Sequence, residues 1–152
     1  MADTSLNENR IGLLVWQTCN IWQTKLRKIL KKYNISLNEY LIIETVFKLT
    51  SNMSSISQTN ISNNSFIDIS VVSTTLSLLE KKKIIIRNFT DNRTKKIELT
   101  QKGMALISSL SKIISNEESI IFGKLGNESY NFINSLKLIL GKKIRVKANK
   151  RD

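Results

Sequence analysis

"IIIRNFTDNRTKKIELT", residues 84–100, decides how the rest of the chain is read. It opens on three isoleucines and closes on the alternation Lys96, Ile97, Glu98, Leu99. Between them Thr90-Asp91-Asn92-Arg93 forms a polar turn, with Arg87, Arg93, Lys95 and Lys96 around it. Period-two patterning on both sides of an Asp/Asn turn predicts a two-stranded hairpin. An isolated hairpin is marginal in water, so this one needs a body to lean on.

That body is helical on both sides. Immediately upstream, Asp68 can cap a helix over "ISVVSTTLSLLEKKK", with Ile69, Val72, Leu76 and Leu79 as its buried stripe. Ser57 can cap a short helix through Gln58 and Ile61 that ends in the Asn/Ser cluster at 62–65. "SLNE", Ser36 to Glu39, is a capping box that starts a helix running to about Leu49 through Leu41, Ile42, Val46 and Phe47. From Asn9 to Tyr33, Ile11, Leu14, Val15, Thr18, Trp22, Leu26, Ile29 and Tyr33 recur at helical spacing. Downstream, "LTQKG" (99–103) leads into a long helix carrying Leu106, Ile107, Leu110, Ile113 and Ile114 toward Phe122. Asn127 is placed to cap a last helix through Tyr130, Ile133, Leu136 and Leu140, with Gly141 as its stop.

Composition narrows the function. With 152 residues the chain can bury a real core as one domain, and 41% hydrophobic with 24% charged residues is ordinary for a globular protein. The net charge of +12 is not ordinary, and an excess of that size attracts polyanions, nucleic acid first. The tail "KKIRVKANKRD" holds six cations and one anion, so most of the excess lies in the body. There is no histidine and one cysteine, Cys19, which excludes His-based triads, Cys/His zinc sites and an internal disulfide framework. No Gly-rich phosphate loop occurs, and the carboxylates are scattered. The expectation is a protein that is not an enzyme, with no cofactor and no metal. No secretory signal and no apolar run of about 18 residues is visible, which points to a cytoplasmic protein without a membrane partner.

Helix, turn, second helix and basic strand pair is the order of a winged helix-turn-helix. In that arrangement the second helix enters the major groove, and Ser70, Val71, Ser73, Thr74 and Ser77 are its candidate contacts. Ser57 and Gln58, which open the first helix of the pair, are candidate DNA contacts as well. Arg87, Lys95 and Lys96 would hold phosphates. Arg93, at a turn organised by Asp91, would enter a narrow A·T-rich minor groove, whose potential is strongly negative. The second helix carries no Arg before its end, and Arg on guanine is the commonest specific base contact, so an A·T-rich site read partly by shape fits best.

The stretch 57–103 resembles the DNA-binding lobe of MarR-family transcriptional regulators. The matching pieces are Ser57-Gln58, Ile67-Asp68, Ser73, Leu79-Glu80-Lys81-Lys82, Asp91-Asn92-Arg93 and Leu99-Thr100-x-x-Gly103. "LLVWQTCNIWQTKLRKILKKYNISLNEYLIIETV" is similar to the first two helices of one branch, and the resemblance covers roughly residues 10 to 140. It implies a homodimer on a pseudo-palindromic duplex, open to a small-molecule effector. There are departures. Lys83 stands where the family usually has a Gly, so the recognition helix must end differently, and the wing is shorter and lacks prolines. The family's peroxide-sensing cysteine would fall near Gly12, which leaves Cys19 as a packed thiol. Trp16, Trp22, Tyr40 and Phe47 are candidates for an effector cavity, with plain core as the simpler assignment.

The expected fold is mainly α with a small two-stranded β-wing, bearing long terminal helices. Residues 1–35 form an N-terminal dimerisation helix, 36–103 the DNA-binding lobe, 104–141 the C-terminal dimerisation helices and 142–152 a basic, disordered tail. The expected function is a homodimeric, sequence-specific DNA-binding transcriptional regulator, a repressor by occlusion or an activator where its site lies upstream. The alternatives are a sequence-tolerant nucleoid-associated or RNA-binding protein, and a helical module whose basic face meets an acidic protein or a membrane.

Overall fold

A computed structural model describes residues 8–89 and 95–144, with Phe89 and Lys95 described by backbone alone. The elements run α1 (Ile11–Lys31), α2 (Leu37–Thr50), α3 (Gln58–Ser65), α4 (Ile69–Lys81), β1 (Ile85–Phe89), β2 (Lys95–Leu99) and α5 (Gln101–Phe122). A tight helical turn over Gly123–Glu128 then leads to α6 (Ser129–Ile139). The chain divides into two compact units, residues 1–115 and 116–152, with the boundary inside α5.

The first unit holds the buried core. Leu26 and Leu30 of α1 meet Tyr40, Ile42, Ile43 and Val46 of α2, and Val72, Leu76 and Leu79 of α4 close over them. Ile84, Ile85 and Ile97 bring in the foot of the hairpin, while Ile107, Leu110 and Ile114 bring in α5. Each fully buried Leu or Ile contributes about 1.5–3 kcal/mol relative to exposure. The hairpin is antiparallel, with Ile85 opposite Leu99, Arg87 opposite Ile97 and Phe89 opposite Lys95. Paired residues share a face, so Ile85, Arg87, Ile97 and Leu99 face one way and Ile86, Asn88, Lys96 and Glu98 the other. Ile97 also donates its N–H to the Ile56 carbonyl at 3.2 Å, which tethers the sheet to the segment before α3.

Local chemistry sets the helix starts. Ser36 accepts the Glu39 N–H while Glu39 accepts the Ser36 N–H, so the capping box is complete. Ser57 and Asn60 make the same reciprocal pair at α3. Asp68 caps α4 by accepting the Ser70 N–H at 2.9 Å. The expected cap at Asn127 is not formed. Gly126 sits at φ 53°, ψ −125°, and Asn127 lies within the tight turn, so α6 starts at Ser129 without a side-chain cap. Side-chain capping needs an extended N-cap backbone, which that turn does not provide.

Helix ends correct one expectation. Helix α4 does not end differently for want of a Gly: Lys83 itself takes the left-handed conformation, at φ 59°. Its N–H reaches the Glu80 carbonyl and the Ile84 N–H reaches the Leu79 carbonyl, both at 3.0 Å, which closes a Schellman turn. Asn34 closes α1 in the same way at φ 55°, and Gly141 closes α6 at φ 71°. A side chain held left-handed costs about 1 kcal/mol or more. Lys83→Gly is therefore expected to raise the stability by about 0.5–1 kcal/mol, read as a higher urea midpoint. A lower midpoint would mean that the lysine side chain contributes more than the strain removes.

In the second unit none of the described residues is a buried hydrophobic. Ile120, Ile133, Leu138, Ile139 and Leu140 all stand exposed.

Candidate nucleic-acid interface

The helix pair and the hairpin leave both polar and apolar side chains exposed. On α4, Ser70, Val71, Thr74 and Ser77 are exposed, and Ser73 is half-buried beside them. Ser57 and Gln58, at the start of α3, are half-buried. Val72, Thr75, Leu76 and Leu79 turn inward, at 0–5% exposure. Ile69 does not join them. Expected in the buried stripe, it is 48% exposed, and Thr75 occupies the inner face instead. The first turn of α4 lies at the margin of the core, so an apolar residue there is only half covered by the described residues. Phe66, in the turn between α3 and α4, is also exposed and left-handed at φ 62°.

Electrostatics pins the start of α4. The Ser70 hydroxyl and then the Ser70 backbone N–H hold the Asp68 carboxyl below its ordinary value of 3.8. Because the charged form is the one bonded, the cap is intact at neutral pH. It is lost only as pH falls through that lowered value.

The wing cations are placed differently from one another. Arg87 lies on the inner face of β1 with its side chain 14% exposed. Its Nη2 donates to Ser77 Oγ at 3.2 Å, and its Nε lies 3.7 Å from Glu80 Oε2. It braces the wing against α4. Strand alternation could have shown this, since Arg87 shares its parity with the buried Ile85. Lys96 stands on the outer face with its ammonium 2.8 Å from Glu98 Oε1. That hydrogen bond is the main cause of a Glu98 carboxyl held below the usual range. Lys95 is at the end of β2 opposite Phe89. Arg93, Asp91 and the tail 145–152 lie outside the described residues.

Two contacts show themselves only in three dimensions. The Lys82 ammonium, just past α4, lies 2.8 and 3.1 Å from the Glu39 carboxylate oxygens and 2.7 Å from the Asn34 carbonyl. Glu39 is 4% exposed, so its capping carboxylate is also a buried counter-ion. The second feature gives "LTQKG" a physical reason. Thr100 Oγ1 accepts the Gly103 N–H at 3.1 Å and donates to the Lys83 carbonyl at 2.7 Å, while the Thr100 N–H reaches the Ile84 carbonyl at 3.0 Å. One threonine thus caps α5 and ties it to the end of α4.

The four aromatics do not act together. Tyr40 is buried and Trp22 packs against the core, while Trp16 and Phe47 are exposed, which corrects their assignment to core within the chain. An open groove of about 610 Å³ lies elsewhere, at the foot of the wing, between Glu80, Lys83, Ile86, Arg87 and Lys102. Cys19 is half-buried and accepts the Gln23 side-chain amide at 3.1 Å. Among the described residues, no cluster of His, Cys, Asp or Glu could hold a metal ion, and no helix is long and apolar enough to cross a membrane.

No protein-family model matches the chain. The uncharacterized HTH-type transcriptional regulator YdcH of Bacillus subtilis strain 168 is 24% identical over 131 residues, spanning 85% of this chain and 88% of that protein. A MarR family transcriptional regulator from Silicibacter pomeroyi aligns with a TM-score of 0.79 at 16% identity, covering 92% of this chain and 93% of that one. Staphylococcus aureus MepR, solved in complex with DNA, aligns with a TM-score of 0.77 at 21% identity over 89% of this chain and 97% of its own. The element order, the helix-turn-helix and the wing agree with what the sequence resemblance implied. The fold of this chain is that of the MarR-family winged helix-turn-helix transcriptional regulators.

Proposed function

We propose that the protein is a MarR-family regulator that binds duplex DNA sequence-specifically as a homodimer and represses by occluding its site. The observation that carries this reading is α4 itself. It is an exposed, Asp-capped helix flanked by a basic hairpin, on a chain of net charge +12, in a fold that MepR presents to DNA. In this reading Ser57, Gln58, Ser70, Val71, Ser73, Thr74 and Ser77 face the major groove. Lys95 and Lys96 serve phosphates, Arg87 steadies the wing, and Arg93, turned by Asp91, enters the minor groove. A pseudo-palindromic, A·T-rich site follows from two such helices on one two-fold axis.

Exposed apolar side chains support the dimer. Ile11, Leu14, Val15 and Trp16 on α1, and Ile133, Leu138, Ile139 and Leu140 at the other end, are more than a lone protomer usually leaves in water. The assignment of residues 1–35 and 104–141 to dimerisation rests on them.

The test is a titration of the full chain against duplexes recovered by selection from a random pool. Neutralised phosphates release counterions, so affinity is expected to fall by about a thousandfold between roughly 50 and 200 mM salt. Arg93→Ala is expected to cost about 1–3 kcal/mol, and more where A·T pairs lie under the wing. A flat salt response sinks the DNA-binding reading. Steep salt dependence with no preferred sequence would favour a nucleoid-type protein instead.

A further inference from the structure

The exposed face of α4 is short of free hydrogen-bond donors. Each hydroxyl has one proton to give. Ser70 gives its proton to Asp68 Oδ1, Thr74 to the Ser70 carbonyl at 3.0 Å and Ser77 to the Ser73 carbonyl at 3.2 Å. Ser77 Oγ then also accepts from Arg87. In this arrangement they offer lone pairs outward, and to donate to a phosphate oxygen or to the O6 or N7 of guanine each hydroxyl has to give up its present acceptor. Ser73 alone on this face donates to nothing in the structure's described bonds. Residues 69–79 contain no Lys, Arg, Asn or Gln, so the side chains that usually bond bases in pairs are missing as well.

What the helix does present is hydrocarbon. Ile69 is 48% exposed and Val71 37%, both in the first turn of α4. Recognition helices touch base edges mainly with their N-terminal residues. On the floor of the major groove, the feature that matches a branched aliphatic side chain is the C5-methyl of thymine.

We propose that Ile69 and Val71 are specificity-determining residues that read thymine methyl groups in each half-site. Discrimination then comes mostly from van der Waals contact and methyl desolvation, with affinity supplied by cations elsewhere. The inference rests on the DNA-binding reading above and names what that site recognises.

The experiment replaces single thymines in the selected duplex with deoxyuridine, which removes the methyl and keeps every hydrogen-bonding group. At one or two positions per half-site the wild-type chain is expected to lose about fivefold in affinity, the worth of one buried methyl. Ile69→Ala should bind the thymine duplex about as weakly and be indifferent to uracil at its position, with Ile69→Val intermediate. Because Ile69 is exposed, thermal unfolding of these variants should match wild type. Salt-dependent, sequence-specific binding that ignores uracil at every position overturns the inference and leaves the regulator reading standing. No salt-dependent binding overturns both.

Discussion

Gly103→Ala is expected to destabilise the first unit by about 3 kcal/mol or more, a large share of the total stability of a marginally stable domain. A Cβ built at this position would lie 2.3 Å from the Ile84 carbonyl oxygen and 3.3 Å from its carbon. The obstacle is backbone, and it is held from several sides. The Ile84 carbonyl accepts the Thr100 N–H and lies 3.0 Å from the Thr100 hydroxyl, while the Ile84 N–H closes the turn after α4. Neither partner can retreat without breaking one of these bonds. Alanine in a helix is otherwise favoured over glycine by about 0.5–1 kcal/mol, so the sign of the effect isolates the clash. Gly123→Ala is the control, because no atom lies within 4 Å of its added Cβ. Urea denaturation followed by circular dichroism reads both. An unchanged midpoint for Gly103→Ala would mean that α5 can slide away from α4 at little cost.

Lys82→Met is expected to cost about 2–3 kcal/mol, although lysine beside a helix end is usually replaceable. The loss arises at Glu39, whose carboxylate stays buried at 4% exposure with its cation gone. The Lys82 side chain is 30% exposed, which keeps the figure below that of a fully buried pair. Glu39→Gln keeps an oxygen for the Ser36 N–H and removes the charge. The double variant should therefore recover a good part of what Lys82→Met loses, which a double-mutant cycle in urea would detect. Strictly additive losses would show that the two groups do not interact.

Most of the architecture is legible from short-range chemistry. Ser36, Ser57 and Asp68 cap as their residue types predict, and the alternation around residues 85–89 and 95–99 predicts the strands found there. The misreadings share a cause. Apolarity and spacing place Ile69, Trp16 and Phe47 in the core, yet periodicity tells which residues share a face without telling what that face meets. Lys82 and Glu39 are 43 residues apart and carry no mutual signal. Arg87 was legible in principle by strand parity, but its positive charge suggested phosphate first. The motif around Thr100 and Gly103 was recognisable as a pattern. Its reason, a backbone approach too close for a side chain, needed coordinates.

Among the described residues, three helix ends close on left-handed residues that are not glycine: Asn34, Phe66 and Lys83. Their codons begin AA, TT and AA, whereas glycine codons begin GG and proline codons CC. The chain contains 5 glycines and no proline, against an abundance of Ile, Lys and Asn. A coding sequence rich in A and T would supply the residue best suited to a helix stop less often. The strain then falls on positions where folding tolerates it, at solvent-facing helix ends. Gly103 is spared because its constraint is a collision with backbone, which no A·T-coded residue can avoid.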